Sequence, residues 1–124
     1  MQVSRIKDAN PQRRIAEMFT GEVHGQETRG ETLRLGLVKF SPGGRTKWHR
    51  HTYEQGLVIT EGKGIVATED AEHVVEPGDV IIIPVNEKHW HGATETTPMA
   101  HISINLPGEA IVMEPVEKIR TQNP

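Results

Sequence analysis

The sequence predicts an all-β fold, an antiparallel sandwich or barrel, and three observations carry that expectation. Twelve glycines and eight prolines cut the 124 residues into segments too short for most helices. Hydrophobic residues make up 35% but aromatics only 4%, so a core must be built mainly from Val, Ile and Leu. Those residues fall in short runs bounded by Gly, Pro, Asp and Glu turns at near-regular spacing, the pattern of a sandwich or barrel.

Taken in order, residues 13–19 suit a brief helical turn or a strand. In ETLRLGLVKF, Leu33, Leu35 and Leu37 alternate with Arg34, Gly36 and Val38, which is the strand period. SPGG at 41–44 ends that strand as a turn. GLVITEG, GIVAT, HVVEPGD, VIIIP and MAHISINL then read as further strands. Turns are expected in EGKG at 61–64, EDAE at 69–72, EPGD at 76–79 and ETTP at 95–98. The stretch at 107–124 reads as an edge strand or a tail. One domain over 1–124 suits this length, which buries roughly two-thirds of the unfolded surface.

Charge and composition exclude several functions. Fourteen basic residues against seventeen acidic ones give a net charge of -3, and Arg13-Arg14 is too short for a basic patch, so nucleic acid is not an expected partner. The apolar run Val80 to Val85 is far too short to cross a bilayer, and the first fifteen residues hold no signal-like apolar stretch. There is no cysteine, hence no disulfide and no thiolate chemistry. A cytoplasmic protein is the default expectation.

The chemistry lies in the histidines: His24, His49, His51, His73, His89, His91 and His101. A lone histidine is more often a surface or hydrogen-bonded residue than a ligand, and His-x-His alone is a weak signal. On a strand, however, His49 and His51 share a face about 7 Å apart, and their rings can lean onto one ion at about 2.1 Å each. If residues 52–54 link to the next antiparallel strand, Gln55 returns beside them on the neighbouring strand. His89, in PVNEKHWHG, is available as a further ligand from another strand. The alternative role for Gln55 is to hydrogen-bond a ligand histidine from behind.

The residues also fit a family pattern. Gly43, His49, His51, Gln55 and Gly62 fill G-x5-H-x-H-x3-E-x6-G, the first cupin motif, with Gln in the Glu slot. Gly78, Pro84 and His89 fill the second, G-x5-P-x-G-x2-H-x3-N, with Asn86 where Gly is usual and Ala93 where Asn is usual. Over residues 19–105 the chain resembles small one-domain cupins that include bacterial manganese-dependent hydroxynitrile lyases. FTGEV, VITEGKG, PGDVIIIP and KHWHGATETTPMAHISI carry that resemblance.

The resemblance implies a cupin jelly-roll (double-stranded β-helix) barrel with one divalent metal held by His49, His51, Gln55 and His89. It favours Mn, while a nitrogen and oxygen donor set without sulfur also suits Fe, Co, Ni or Zn. It places His101, and secondarily His91, as acid–base residues, and Gly36, Val38, Ser103 and Asn105 around a small-molecule substrate. Periodicity alone would put His101, Ser103 and Asn105 on a solvent face. Trp48 and Trp90, of opposite strand parity to the ligand histidines, suit packing, and His24 and His73 suit solvent-facing turns.

The implied activity is cyanohydrin cleavage or synthesis with the metal as Lewis acid. Two rivals are a dioxygenase or related oxidoreductase acting on an electron-rich substrate, and a non-catalytic module binding a metal or small molecule. The resemblance also implies a homodimer, with Leu33, Leu35 and Leu37 as a shared apolar face or as simple intramolecular burial.

Overall fold

A computed structural model describes residues 1–121. A short 3-10 turn at Ile6–Asp8 precedes strands β1 (Gln12–Arg13), β2 (Phe19–Thr20), β3 (Val23–Arg29), β4 (Arg34–Phe40), β5 (Arg45–Thr46) and β6 (His49–His51). They are followed by β7 (Gln55–Gly62), β8 (Gly64–Thr68), β9 (Glu72–Val75), β10 (Val80–Ile83), β11 (His89–Ala93), β12 (Met99–Asn105) and β13 (Ala110–Val112). No helix among the described residues is long and apolar enough to cross a membrane.

The strands form two antiparallel sheets packed as a jelly roll. The first runs β1-β3-β4-β12-β7-β10; the second runs β13-β6-β11-β5-β2, with β8 also on β11 and β9 on β8. Residues paired across neighbouring strands share a face, so register sorts inside from outside. Val23 opposes Phe40, and Phe40 opposes Met99. With Leu57, Ile59, Val66, Val75, Ile83 and Ala93 they fill the space between the sheets.

A second apolar cluster lies outside that space. Trp90, Ile65 and Ala67 are covered by Val116 of the C-terminal segment, with Trp48 and Ile119 alongside. The segment is tied down where Arg120 donates to Glu72 and to the carbonyls of Thr68 and Glu69. The Thr121 hydroxyl adds a bond of 2.7 Å to the same Glu72 carboxylate. The tryptophans therefore pack, as their parity suggests. Residues 122–124 of the C-terminal stretch at 107–124 lie outside the described residues.

Several local expectations change. The 13–19 stretch is neither one helical turn nor one strand: β1 and β2 take its two ends with a bend between them. The 3-10 turn comes earlier, and β3 is a full strand that composition alone did not mark. His24 sits on β3, paired with Arg13 and Lys39, and His73 on the edge strand β9, not in turns.

The departure at Asn86 has a physical reason. Its φ is +64°, the left-handed region that Gly fills at no cost and Asn tolerates best among the rest. Its N–H donates to the His51 carbonyl at 2.8 Å, and its side-chain oxygen accepts from Arg50 at 3.0 Å. The turn thus anchors the strand that carries the first two histidines. Gly62 at the other motif has no such latitude: at φ +72°, a Cβ there would lie 2.0 Å from the Pro98 carbonyl oxygen.

Candidate metal centre

Five of the seven histidines meet between the sheets, and each is at most 5% exposed. His49 and His51 come from β6, His89 and His91 from β11, and His101 from β12. His49 stands directly opposite His89 in the β6–β11 pairing, which brings their ring centroids to 4.2 Å. His51 lies 4.8 Å from His49 and 5.2 Å from His89. His91 follows at 5.4 Å and 5.6 Å from the same two rings. Ligand-capable nitrogens of His49, His89 and His91 all fall within 4.8 Å of one another.

Backbone bonds set the orientation of the central pair. The His49 Nδ1 lies 2.8 Å from the Lys47 carbonyl, and the His89 Nδ1 lies 2.8 Å from the Glu87 carbonyl. A carbonyl only accepts, so each ring carries its proton on Nδ1 and turns a bare Nε2 lone pair inward. Such an orienting partner is the usual companion of a metal-binding histidine.

Gln55 reaches the cluster by a route different from the one expected. Its strand does not neighbour the histidine strand: β7 pairs with β12 and β10, whereas β6 pairs with β11 and β13. Residues 52–54 cross between sheets, as jelly-roll connectivity demands, and the amide arrives from the facing sheet. Its Nε2 donates to Asn105 Oδ1 at 2.8 Å. Asn105 Nδ2 donates to Ser103 Oγ at 3.1 Å, and that hydroxyl donates to the Gly36 carbonyl at 3.4 Å. This chain fixes which end of the Gln55 amide is which, leaving Oε1 buried and without a partner.

Ser103, Asn105 and Gly36 thus sit beside Gln55, joined to it by hydrogen bonds. Val38 packs on the core next to them. Gly36 leaves room for the Ser103 hydroxyl, since a Cβ there would lie 2.6 Å from it. If Asn105 positions the amide, Asn105→Leu is expected to weaken divalent-metal affinity about 10- to 100-fold, and Asn105→Gln to recover part of it. Metal titration followed by calorimetry reads both values; unchanged affinity in Asn105→Leu would remove this role.

His91 and His101 form a pair of their own, with His101 Nε2 at 2.9 Å from His91 Nδ1. The outer nitrogens, His91 Nε2 and His101 Nδ1, are buried without partners. Phe40 packs edge-on against both rings, and Thr46 Oγ accepts the His91 N–H at 3.1 Å. Buried polar atoms are rarely left unbonded. Here His51 Nδ1, Gln55 Oε1, His89 Nε2, His91 Nε2 and His101 Nδ1 are all buried without a hydrogen-bond partner. A cation among the lone pairs of Gln55 Oε1 and the His49–His51–His89 rings resolves an excess of acceptors there, so the residues fit a metal.

Burial keeps these rings neutral. It lowers His49 to about 3, with help from the neighbouring His89, and His51 and His101 to about 4. His89 is lowered, and His91 well lowered, by the same desolvation. In the unfolded chain these rings take up protons as pH falls through about 6.5, while the folded rings resist until about 4 or 3. Their contribution to stability is therefore intact above pH 6.5 and falls away on acidification below it. Denaturant midpoints of metal-free protein are expected to be lower at pH 5 than at pH 7.5; equal midpoints would contradict neutral buried rings.

Tyr53, Arg34 and Thr46 were not singled out by spacing. Tyr53 stacks on His51 at 4.9 Å and 28°, two residues further along the same stretch. Its position next to the His-x-His pair was the available signal.

The comparisons bear on this geometry. A family model for the cupin domain (Cupin_2) matches residues 36–105, a span holding both motifs and all five clustered histidines. The chain belongs to the cupin family. This cupin is 37% identical over 118 residues to the (R)-mandelonitrile lyase of Granulicella tundricola, covering 90% of each chain. A cupin-like protein of known structure from Thermotoga maritima superposes with a TM-score of 0.84 at 30% identity, covering 90% of this cupin and 91% of the other chain. Similarity to a gentisate 1,2-dioxygenase of Ralstonia is 32% over 73 residues, spanning 58% of this cupin and 21% of that enzyme.

Proposed function

We propose that the protein is a divalent-metal-dependent lyase of the hydroxynitrile-lyase kind, with His49, His51, Gln55 and His89 holding the ion and Mn favoured. The observation that carries this reading is the set of orphaned lone pairs beside a separate, hydrogen-bonded His91–His101 pair. His91 also lies in the tight nitrogen group, but its Nδ1 is committed to His101. Gln55 Oε1 is unpartnered and held in place by Asn105. The likeness to a mandelonitrile lyase along most of both chains supports the choice of reaction. When bound, the ion supplies Lewis acidity to a substrate hydroxyl, undiminished because three imidazoles and an amide bring no negative charge.

The remaining work falls to this chain's residues. His101 Nδ1 accepts the hydroxyl proton, while Nε2–H donates to His91 Nδ1 and steadies the imidazolium. As the C–O double bond forms, the bond to the nitrile carbon breaks and its electron pair leaves with cyanide. The proton on His91 Nε2 faces the departing anion. Val38, Leu57 and Phe40 keep the site apolar, so these charges form away from bulk water. A colorimetric cyanide assay on mandelonitrile with Mn-loaded protein is expected to show release above a metal-free control; parity with that control would end the reading.

A second reading, dioxygenase chemistry on an electron-rich substrate, draws on the dioxygenase similarity. It requires oxygen uptake by Fe- or Mn-loaded protein on an enediol or catechol. The expected homodimer belongs to the same proposal: Leu33, Val80, Ile82, Ile104 and Leu106 are exposed on the first sheet and its edges. Light scattering at micromolar concentration should return twice the chain mass.

A further inference from the structure

The seam on which the metal centre depends is a weak joint of its sheet. Strands β6 and β11 carry four of the clustered histidines, yet among the described residues they pair at one position, His49 with His89. By contrast, β13 pairs with β6 at three positions and β8 with β11 at five. Metal ligands must sit within about 0.2 Å of their ideal distance, so drift across this seam weakens binding.

The C-terminal segment spans that seam from outside. After β13, the Met113 N–H donates to the Trp48 carbonyl at 2.8 Å and the Trp48 N–H donates to the Glu114 carbonyl at 3.0 Å. These bonds extend the β13–β6 pairing to the residue before His49. The Glu114 carboxylate accepts from Lys88, the residue before His89. Val116 and Ile119 then pack on Trp90, Ile65 and Ala67, over the face of β11 and β8 that turns away from the histidines. Arg120 bonds the carbonyl of Thr68, which stands opposite His89 on β8. Residues 113–121 thus form a belt from β13 at one edge of the sheet to β9 at another.

Glu72, at the start of β9, closes the belt. Its side chain is only 4% exposed. Its oxygens accept from the Arg120 N–H at 2.9 Å, the Thr121 N–H at 2.6 Å and the Thr121 hydroxyl at 2.7 Å, with Arg120 Nε at 3.4 Å. Bonds to an ionised carboxylate are stronger than neutral ones, so this is the firm end of the belt. No step of the proposed chemistry uses this carboxylate.

We propose that Glu72 is a positioning residue for the metal centre and acts through the belt. With the clasp closed, β6 and β11 hold their histidines at ligand spacing; a bound metal, in turn, holds the belt closed. This rests on the metal-site reading above. Such coupling is reciprocal, so the factor that the clasp adds to metal affinity is the factor that the metal adds to closure.

The experiment compares the unaltered protein with the double variant Glu72→Ala/Arg120→Met. Titration of metal-free protein with Mn²⁺ is expected to show affinity at least about fivefold weaker in the variant, the lower end of couplings between sites. Glu72→Gln keeps an accepting oxygen without the charge and should fall between the two. In the unaltered protein, hydrogen exchange over residues 113–121, read by mass spectrometry, is expected to slow by a similar factor when Mn²⁺ is added. Circular dichroism and denaturant midpoints without metal show that each protein is folded. A merely structural clasp lowers the midpoint and leaves both metal readouts unmoved. Should the double variant not fold, Glu72→Gln and the exchange measurement on the unaltered protein decide. Equal Mn²⁺ affinities in folded proteins, or belt exchange indifferent to Mn²⁺, would overturn the proposal and leave the metal site in place. If the unaltered protein binds no Mn²⁺, the metal-site reading falls and this proposal with it.

Discussion

Replacing His89 with Ala is expected to abolish metal retention and, with it, cyanide release. His89 is fully buried, directly opposite His49 across two strands, and its Nε2 is an orphan aimed into the cluster. Loss of an orienting partner costs roughly 10- to 100-fold in metal affinity, and loss of a ligand must exceed that. The substitution also opens a cavity, so folding is a concern. His89→Gln keeps most of the volume and a donor oxygen, and it should retain structure with reduced affinity. Elemental analysis after gel filtration, alongside circular dichroism, separates lost metal from lost fold. A folded His89→Ala protein that keeps its full complement of metal would show that the ion, if any, sits elsewhere.

His101→Leu is expected to behave in the opposite way. His101 comes from β12 in the facing sheet, and its ring hydrogen-bonds His91 and stands outside the tight nitrogen group of His49, His89 and His91. Leucine fills the place beside Phe40, and although it leaves His91 Nδ1 without its buried partner it removes no residue assigned to hold the ion. Metal content should therefore be unchanged, while the rate of cyanide release falls by about 10²- to 10⁴-fold, the usual contribution of a positioned acid–base group. The pH dependence gives a second readout. Burial lowers His101 to about 4 and His91 well below its ordinary value, so the base stays neutral through mildly acidic solution. The acid limb of the unaltered enzyme is expected below pH 6.5. Wild-type rates from His101→Leu would remove this residue from the proton transfer.

Much of the fold was legible because the strand period and the turn residues agree. GIVAT occupies Gly64–Thr68 as a strand, and VIIIP yields Val80–Ile83. β3 was not marked, since VHGQETR has one apolar residue, Val23, and polar side chains or glycine at every other position, so neither face shows an apolar alternation to detect. The histidine spacing placed His49 and His51 on one strand face, but period alone could not say which strands face each other. Gln55 shows the difference. Sequence proximity suggested the neighbouring strand, whereas the cross-sheet connection brings it from the opposite layer. Only long-range pairing reveals the Asn105–Ser103–Gly36 chain that orients it, because these partners are separated by 50 and 67 residues.

The distinction between His51 and His91 decides the site, since both crowd the His49–His89 pair. Titration of metal-free protein with Mn²⁺, followed by electron paramagnetic resonance, tests it in the unaltered chain and in His51→Ala and His91→Ala. One Mn²⁺ per chain is expected in the unaltered protein and in His91→Ala, with binding lost in His51→Ala. Retention of the ion by His51→Ala together with its loss from His91→Ala would contradict the account.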